Sequence, residues 1–175
     1  MMRQHRRYFL LSLVGICLTF LLTSCGTQTI DQYQATAKTT LTWRVNYTPD
    51  PMEDKRGRWE EFAANSLTNV NGERPAEAFG QADDKGLWWP RIPPKPSLDQ
   101  IEERQKRAYE KPGTPELLRT VKYYITYQQD GQQFTLPTNY AVYRQVVKAY
   151  PQQIPLRLTM GINNGSVEKA EPINN

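Results

Sequence analysis

Histidine and cysteine are almost missing from this chain of 175 residues. The one histidine is His5 and the two cysteines are Cys17 and Cys25, so nothing beyond residue 25 carries an imidazole or a thiol. That excludes Ser-His-Asp and Cys-His nucleophilic machinery from the rest of the chain. It excludes the usual Cys/His zinc sites and any disulfide within that part. A Gly-rich phosphate loop and a nucleophile elbow are also lacking. What remains is chemistry by carboxylates, lysines and tyrosines, or by a hard cation held through oxygen. The acid pairs Glu60-Glu61, Asp83-Asp84 and Glu102-Glu103 lie in charged stretches. Adjacent side chains point apart on a helix or strand, so these pairs read as solvated surface rather than as two cooperating catalytic carboxylates. Asp83-Asp84 lacks the ordered oxygen spacing of an EF-hand loop. The expectation is a non-enzymatic chain with no metal and no cofactor.

A long hydrophobic run is present only at the N-terminus, and it is short. Arg3, Arg6 and Arg7 precede an apolar stretch of 15 residues, Tyr8 to Leu22. A membrane-crossing helix needs about 20. A basic start, a short apolar run and small residues at its end are the three parts of a secretory signal. The run ends in Leu22-Thr23-Ser24-Cys25-Gly26. This segment resembles the lipobox of bacterial lipoproteins. The resemblance implies cleavage between Ser24 and Cys25, a diacylglyceryl group on the Cys25 sulfur, and acylation of the new amine. Several acyl chains would hold the protein far more firmly than one.

A basic excess disappears with the leader. The whole chain has a formal net charge of +4 and a pI near 9.1. Residues 1–24 hold three arginines and no acid, which leaves 19 basic against 18 acidic residues. Without that excess there is no electrostatic footprint for a phosphate backbone. Aromatics, by contrast, are plentiful: all four tryptophans and nine of the ten tyrosines follow the cleavage point.

The remaining pattern predicts a signal peptide over 1–24, a lipidated cysteine with a flexible tether over 25–37, and one α+β domain over 38–172. The tether is expected because 26–37 is polar and lacks a sustained period, with only Ile30 and Tyr33 as possible anchors. From Thr39 to Tyr47 the alternation of Leu41, Trp43, Val45 and Tyr47 predicts a strand. An irregular insertion is expected over 48–117. Within it, Trp59, Phe62, Ala63 and Leu67 suggest a short helix from Arg58 to about Leu67. A long loop then closes in Leu87-Trp88-Trp89-Pro90-Arg91-Ile92-Pro93-Pro94-Lys95-Pro96, which prolines hold extended. Ser97 and Gln100 are placed as helix N-cap and capping-box partner of a helix running to about Lys111.

Strands follow over Leu118 to about Gln128 and through Phe134 and Leu136, joined by an Asp130-Gly131 turn. A short helix is expected over Thr138 to Tyr150, capped by Thr138 or Asn139. Strict alternation from Ile154 to Ile162 marks another strand, turned by Asn163-Asn164-Gly165 into Ser166–Ala170. The fold expected is thus α+β: about five largely antiparallel strands, able to curl into a partial barrel, with one or two short helices.

Candidate binding residues are aromatic. Adjacent indoles on an extended chain point oppositely, so one of Trp88 and Trp89 can enter the core while the other meets a partner; the simpler reading is that both pin the long loop onto the sheet. Tyr124, Tyr140 and Tyr143 are candidates to line a groove, though a half-buried sheet face whose hydroxyls reach water explains them better. The Trp88–Pro96 run and the stretch Leu136–Gln145 resemble uncharacterised lipoproteins of photosynthetic bacteria. That resemblance implies no activity. The chain is therefore expected to be a lipid-anchored binding or assembly module. It would face the periplasm or a thylakoid lumen and contact a protein partner in the envelope or a membrane complex. Glycan or peptidoglycan binding through exposed Trp and Tyr is the alternative.

Overall fold

The computed structural model describes residues 26–49 and 57–173. The signal peptide, the Ser24–Cys25 cleavage site and Cys25 itself lie outside the described residues.

The described chain is mostly β, with eight strands in one mixed sheet. They are β1 (Thr27–Ile30), β2 (Tyr33–Thr48), β3 (Arg58–Val70), β4 (Lys111–Pro112), β5 (Glu116–Gln129), β6 (Gln132–Thr138), β7 (Leu156–Met160) and β8 (Val167–Pro172). Two α-helices accompany them among the described residues, α1 (Leu98–Glu103) and α2 (Tyr140–Ala149). This overturns the expected α+β domain of about five strands. Three strands went unforeseen, and each for a local reason.

β1 and the start of β2 occupy the stretch expected to be a flexible tether. Polar residues there face outward, while Ile30, Tyr33, Ala35 and Ala37 alternate into the core. Small Ala35 and Ala37 carry little hydrophobic signal, yet they leave room for the helix α2. β3 replaces the expected helix at Arg58–Leu67. Its register against β2 slips between Thr42/Arg44, so Thr42 faces Ala64 while Arg44 faces Glu61. One extra residue on β3 is the signature of a β-bulge. It separates Phe62 from the next inward residue, Asn65, by three positions instead of two and so imitates helical spacing. β4 is two residues long and pairs with the end of β2.

The strand order is β1-β7-β8-β6-β5-β2-β3, with every pairing antiparallel except β6–β8. Only Asp31 and Gln32 separate β1 from β2, so the path from β1 round to β2 returns to its own starting strand. The result is a five-member ring, partly open where β6 meets β8 through the single pair Thr138↔Val167. Partly open Greek-key barrels of five strands are a recurrent solution to the exposed-edge problem. Leu156, Leu158, Met160, Val167, Ile125 and Ile30 fill the interior, and α2 packs on it through Val142, Tyr143, Val146 and Ala149.

Several local signals hold. Asn139 caps α2, its side chain accepting from Val142 N at 3.0 Å. Ser97 and Gln100 form the capping box of α1, but that helix stops at Glu103, well short of Lys111. The β5–β6 turn has φ of 51° at Asp130 and 74° at Gly131, the left-handed pair a tight hairpin requires.

Candidate functional site

One face of the β3-β2-β5 ribbon is covered and the other is open. The covered face continues the barrel interior through Thr39, Leu41, Val45 and Tyr47. The proline-rich loop lies across it. Asn69, fully buried on β3, supplies its carboxamide as a substitute ladder. Trp88 N donates to Asn69 Oδ1 at 2.7 Å, and Asn69 Nδ2 donates to Trp88 O at 3.1 Å. Thr39 Oγ1 donates to the same carbonyl at 2.8 Å. Farther along, Trp43 Nε1 donates to Pro93 O at 2.8 Å and Asn65 Nδ2 to Arg91 O at 2.9 Å.

Trp88 and Trp89 are both half-buried parts of this seam. Trp89 Nε1 donates to Asp83 Oδ2 at 2.9 Å, with the Arg119 guanidinium 5.4 Å from its ring centre. The other Asp83 oxygen accepts from Lys85 N and Leu87 N. Asp83 is thus a loop organiser, and Leu87, fully buried, plugs the barrel beneath it. Arg74 lies over Trp88 at 4.9 Å.

Tyr140 and Tyr143 are brought together on the ring of Tyr123, with centroids 5.8 and 5.2 Å from it, while Tyr124 stands apart. Tyr143 is buried, and burial pushes its hydroxyl up to about 12. The Gly72 backbone lies close enough to pull that value back down, but the hydroxyl makes no hydrogen bond of ordinary geometry among the described residues. Tyr140 is half-buried beside Tyr123, with its ring under Lys85. Tyr124 sits on the opposite, outer face of the sheet.

That outer face forms an open cleft of about 430 Å³. Even-numbered positions of β2 and β5 create it: Lys38, Thr40 and Thr42 beside Lys122, Thr120 and Leu118, with Tyr124 at one end and Glu61 and Ser66 along β3. Lys38 and Lys122 are direct cross-strand partners. Like charges in directly opposed positions destabilise a sheet, and neither lysine makes an ion pair with a carboxylate among the described residues. Thr40 and Ser66 hydroxyls bond to each other at 2.8 Å. Toward the top of β2, Arg44 pairs with Glu116 at 3.2 Å and lies 4.0 Å over the exposed ring of Trp59.

The chain matches no family model, no curated protein and no solved structure. The site therefore stands on its geometry. No cluster of histidine, cysteine or acid able to hold a metal occurs among the described residues. The outer cleft escaped the sequence analysis because alternation marks which side of a strand a lysine takes, not which residue faces it. The sequence spacing puts Trp59 on the buried face of a helix, and the bulge in β3 turns it outward instead.

A separate charged cluster closes the far end of β2. Glu110, buried, accepts from Arg58 at 3.0 Å and from Lys106 N at 2.9 Å. Glu60 pairs with Arg58, with Lys106 at 3.1 Å and with Arg104 at 3.7 Å. Hydrogen bonding from Arg58 holds the Glu110 carboxyl below the usual carboxylate range, and bonding from Lys106 does the same for Glu60. Tyr47 adds a bond from its hydroxyl to Ile101 O at 2.7 Å. These contacts fasten α1 to the sheet, and the carboxylates are saturated by partners rather than poised for acid–base work.

Proposed function

We propose that the chain is an exported, lipid-anchored, non-enzymatic binding module of the cell envelope, and that its outer sheet face receives an acidic protein partner. The anchor rests on the Leu22–Gly26 motif. The docking face rests on one observation above all, the directly opposed Lys38 and Lys122, neither of them ion-paired to a carboxylate among the described residues although Glu61 lines the same cleft. A sheet keeps such a pair at a cost in stability, and an acidic segment laid across the strands would relieve it. Charge of this kind steers encounter and specificity more than raw affinity, so binding should weaken with salt. The outer surface of a small Greek-key barrel is also a recurrent binding surface.

An acidic glycan on the same face is the second proposal. Its support is the hydroxyl-lined floor of Thr40, Thr42, Thr120 and Ser66, with Tyr124 at the margin. On that proposal Tyr124 and Trp59 would be the stacking surfaces, since Trp88 and Trp89 are engaged in holding the loop.

The experiment is a pull-down from gently solubilised membranes with wild type and with Lys38→Glu/Lys122→Glu, the intact mass of each preparation being recorded. A protein retained by wild type and lost in the double variant is expected, with a mass showing cleavage before Cys25 plus lipid. The same proteins retained by both would sink the docking face, and an unmodified Cys25 would sink the anchor. Sedimentation with purified cell wall that depends on Lys38 and Lys122 would favour the glycan instead.

A further inference from the structure

We propose that the β7–β8 loop, with Ile162 at its tip, is a second membrane contact beside the lipid on Cys25, so that the barrel sits directly on the bilayer. This rests on the lipid-anchor proposal and goes beyond it, because it fixes which end of the domain meets the membrane.

The first reason is the missing tether. Gly26 is already part of the fold: its carbonyl accepts from Met160 N at 3.0 Å, and β1 begins at the next residue. Consecutive Cα atoms are about 3.8 Å apart. A lipid on Cys25 therefore leaves the chain one residue from the point where β1 and β7 are bonded together. No spacer is left to lift the barrel.

The second reason is what lies beside that point. Residues 161–166 follow Met160 directly, and Asn164 Oδ1 lies next to Gly26. Ile162 is 82% exposed. Its position is built rather than slack. Gly161 N donates to Ser166 O at 2.9 Å, Asn164 N to Gly161 O at 3.1 Å and Gly165 N to Ile162 O at 3.0 Å. Asn163 and Asn164 adopt φ of 53° and 54°, the left-handed region that asparagine tolerates. A side chain at Gly161 would collide with Ser166 Oγ, so the loop closes tightly and pushes Ile162 outward.

The third reason is charge. No ionisable residue occurs from Gly161 to Val167, and the next, Glu168, is bonded by the Ser166 hydroxyl at 2.5 Å. Charged groups resist entry into the apolar layer. An uncharged tip of isoleucine, asparagine and glycine suits the boundary between headgroups and acyl chains.

The test uses the full chain, lipidated in cells and reconstituted into phosphatidylcholine–phosphatidylglycerol vesicles. With Cys25 occupied by lipid, Ile162→Cys supplies the one free thiol for an environment-sensitive fluorophore. Leu98→Cys, at an exposed position on α1 beyond the other end of β2, is the control. The expected result is blue-shifted emission and quenching by lipid-borne nitroxide at 162, with neither at 98. If the intact mass shows the lipid but both labels report water, the membrane contact is overturned while the anchor stands. If the mass shows Cys25 unmodified, the anchor and the membrane contact fall together.

Discussion

Asn69 illustrates how much one buried side chain decides in this protein. Read along the chain, it is one of several small polar residues before Asn71-Gly72 and carries no mark of a core position. In the fold it is fully buried and bonds Trp88 at both backbone atoms, with a further bond to Ala37 O at 3.2 Å. A buried amide left without its partner costs about 1–3 kcal/mol. Asn69→Ala orphans the Trp88 N–H and removes acceptors and donors together, so a loss of roughly 2–4 kcal/mol is expected on that scale. Asn65→Ala, whose one bond to Arg91 O is exposed, should cost under about 1 kcal/mol. Urea unfolding of the two variants checks the contrast, and equal losses would show that the loop does not depend on the Asn69 seam. Trp88, which the sequence does flag, is held at its backbone by this polar residue, which it does not.

Among the elements, those legible beforehand carry their own local signals. Alternation in Leu156–Met160, the Asp130-Gly131 turn and the Asn139 cap need no partner to be recognised. β3 was illegible because its bulge, visible only in the register against β2, breaks period two at Phe62 and Ala63. The spacing overextends the helix α1 because the segment after Gln105 is held by side chains, two of them charged, rather than by a continuing helical ladder. Gln105 Nε2 donates to Glu110 O at 2.7 Å, and Arg58 Nη2 to Arg104 O at 3.0 Å.

That charge dependence predicts acid sensitivity concentrated in one segment, since the only other carboxyl held low among the described residues is that of the exposed Glu171 on β8, beside Lys169. Glu110 and Glu60 have carboxyls held below their ordinary value, by Arg58 and Lys106 respectively. Their stabilising effect is full above the unfolded-chain value, about 4.3 for glutamate. It is lost as pH falls through the lower folded value. Amide exchange, corrected for intrinsic rates, should therefore rise in residues 105–110 on acidification before it rises in β5 or β7. Glu110→Gln should raise it already at neutral pH and flatten the acid response. Uniform acceleration across the chain would refute a local clamp.

At the scale of the whole molecule, a ring of strands was only partly foreseeable. The alternating strands were readable, but the closing step, β1 turning into β2 within two residues to bond β7 and β5 on opposite sides, depends on long-range pairing. With no disulfide available beyond residue 25, the barrel is held by its core, and that core is unusually rich in tyrosine. Tyr33, Tyr127 and Tyr143 are all buried, and burial raises each above the ordinary value. The sign follows directly. An unfolded tyrosine ionises near pH 10, while Tyr143 in the fold waits until about 12. Stability contributed by keeping the ring neutral is therefore complete below pH 10 and is lost as pH rises through that window.

Thermal midpoints should fall from pH 10 upward, and Tyr143→Phe should flatten that fall. The same substitution should raise the midpoint at pH 7. It removes a buried hydroxyl that makes no hydrogen bond of ordinary geometry among the described residues, and leaving such a group unbonded costs about 1–3 kcal/mol. Melting curves of wild type and Tyr143→Phe across pH 7 to 12 test both consequences. A lower midpoint at neutral pH would mean that the hydroxyl is bonded after all, and parallel pH slopes would assign the alkaline loss to groups other than Tyr143.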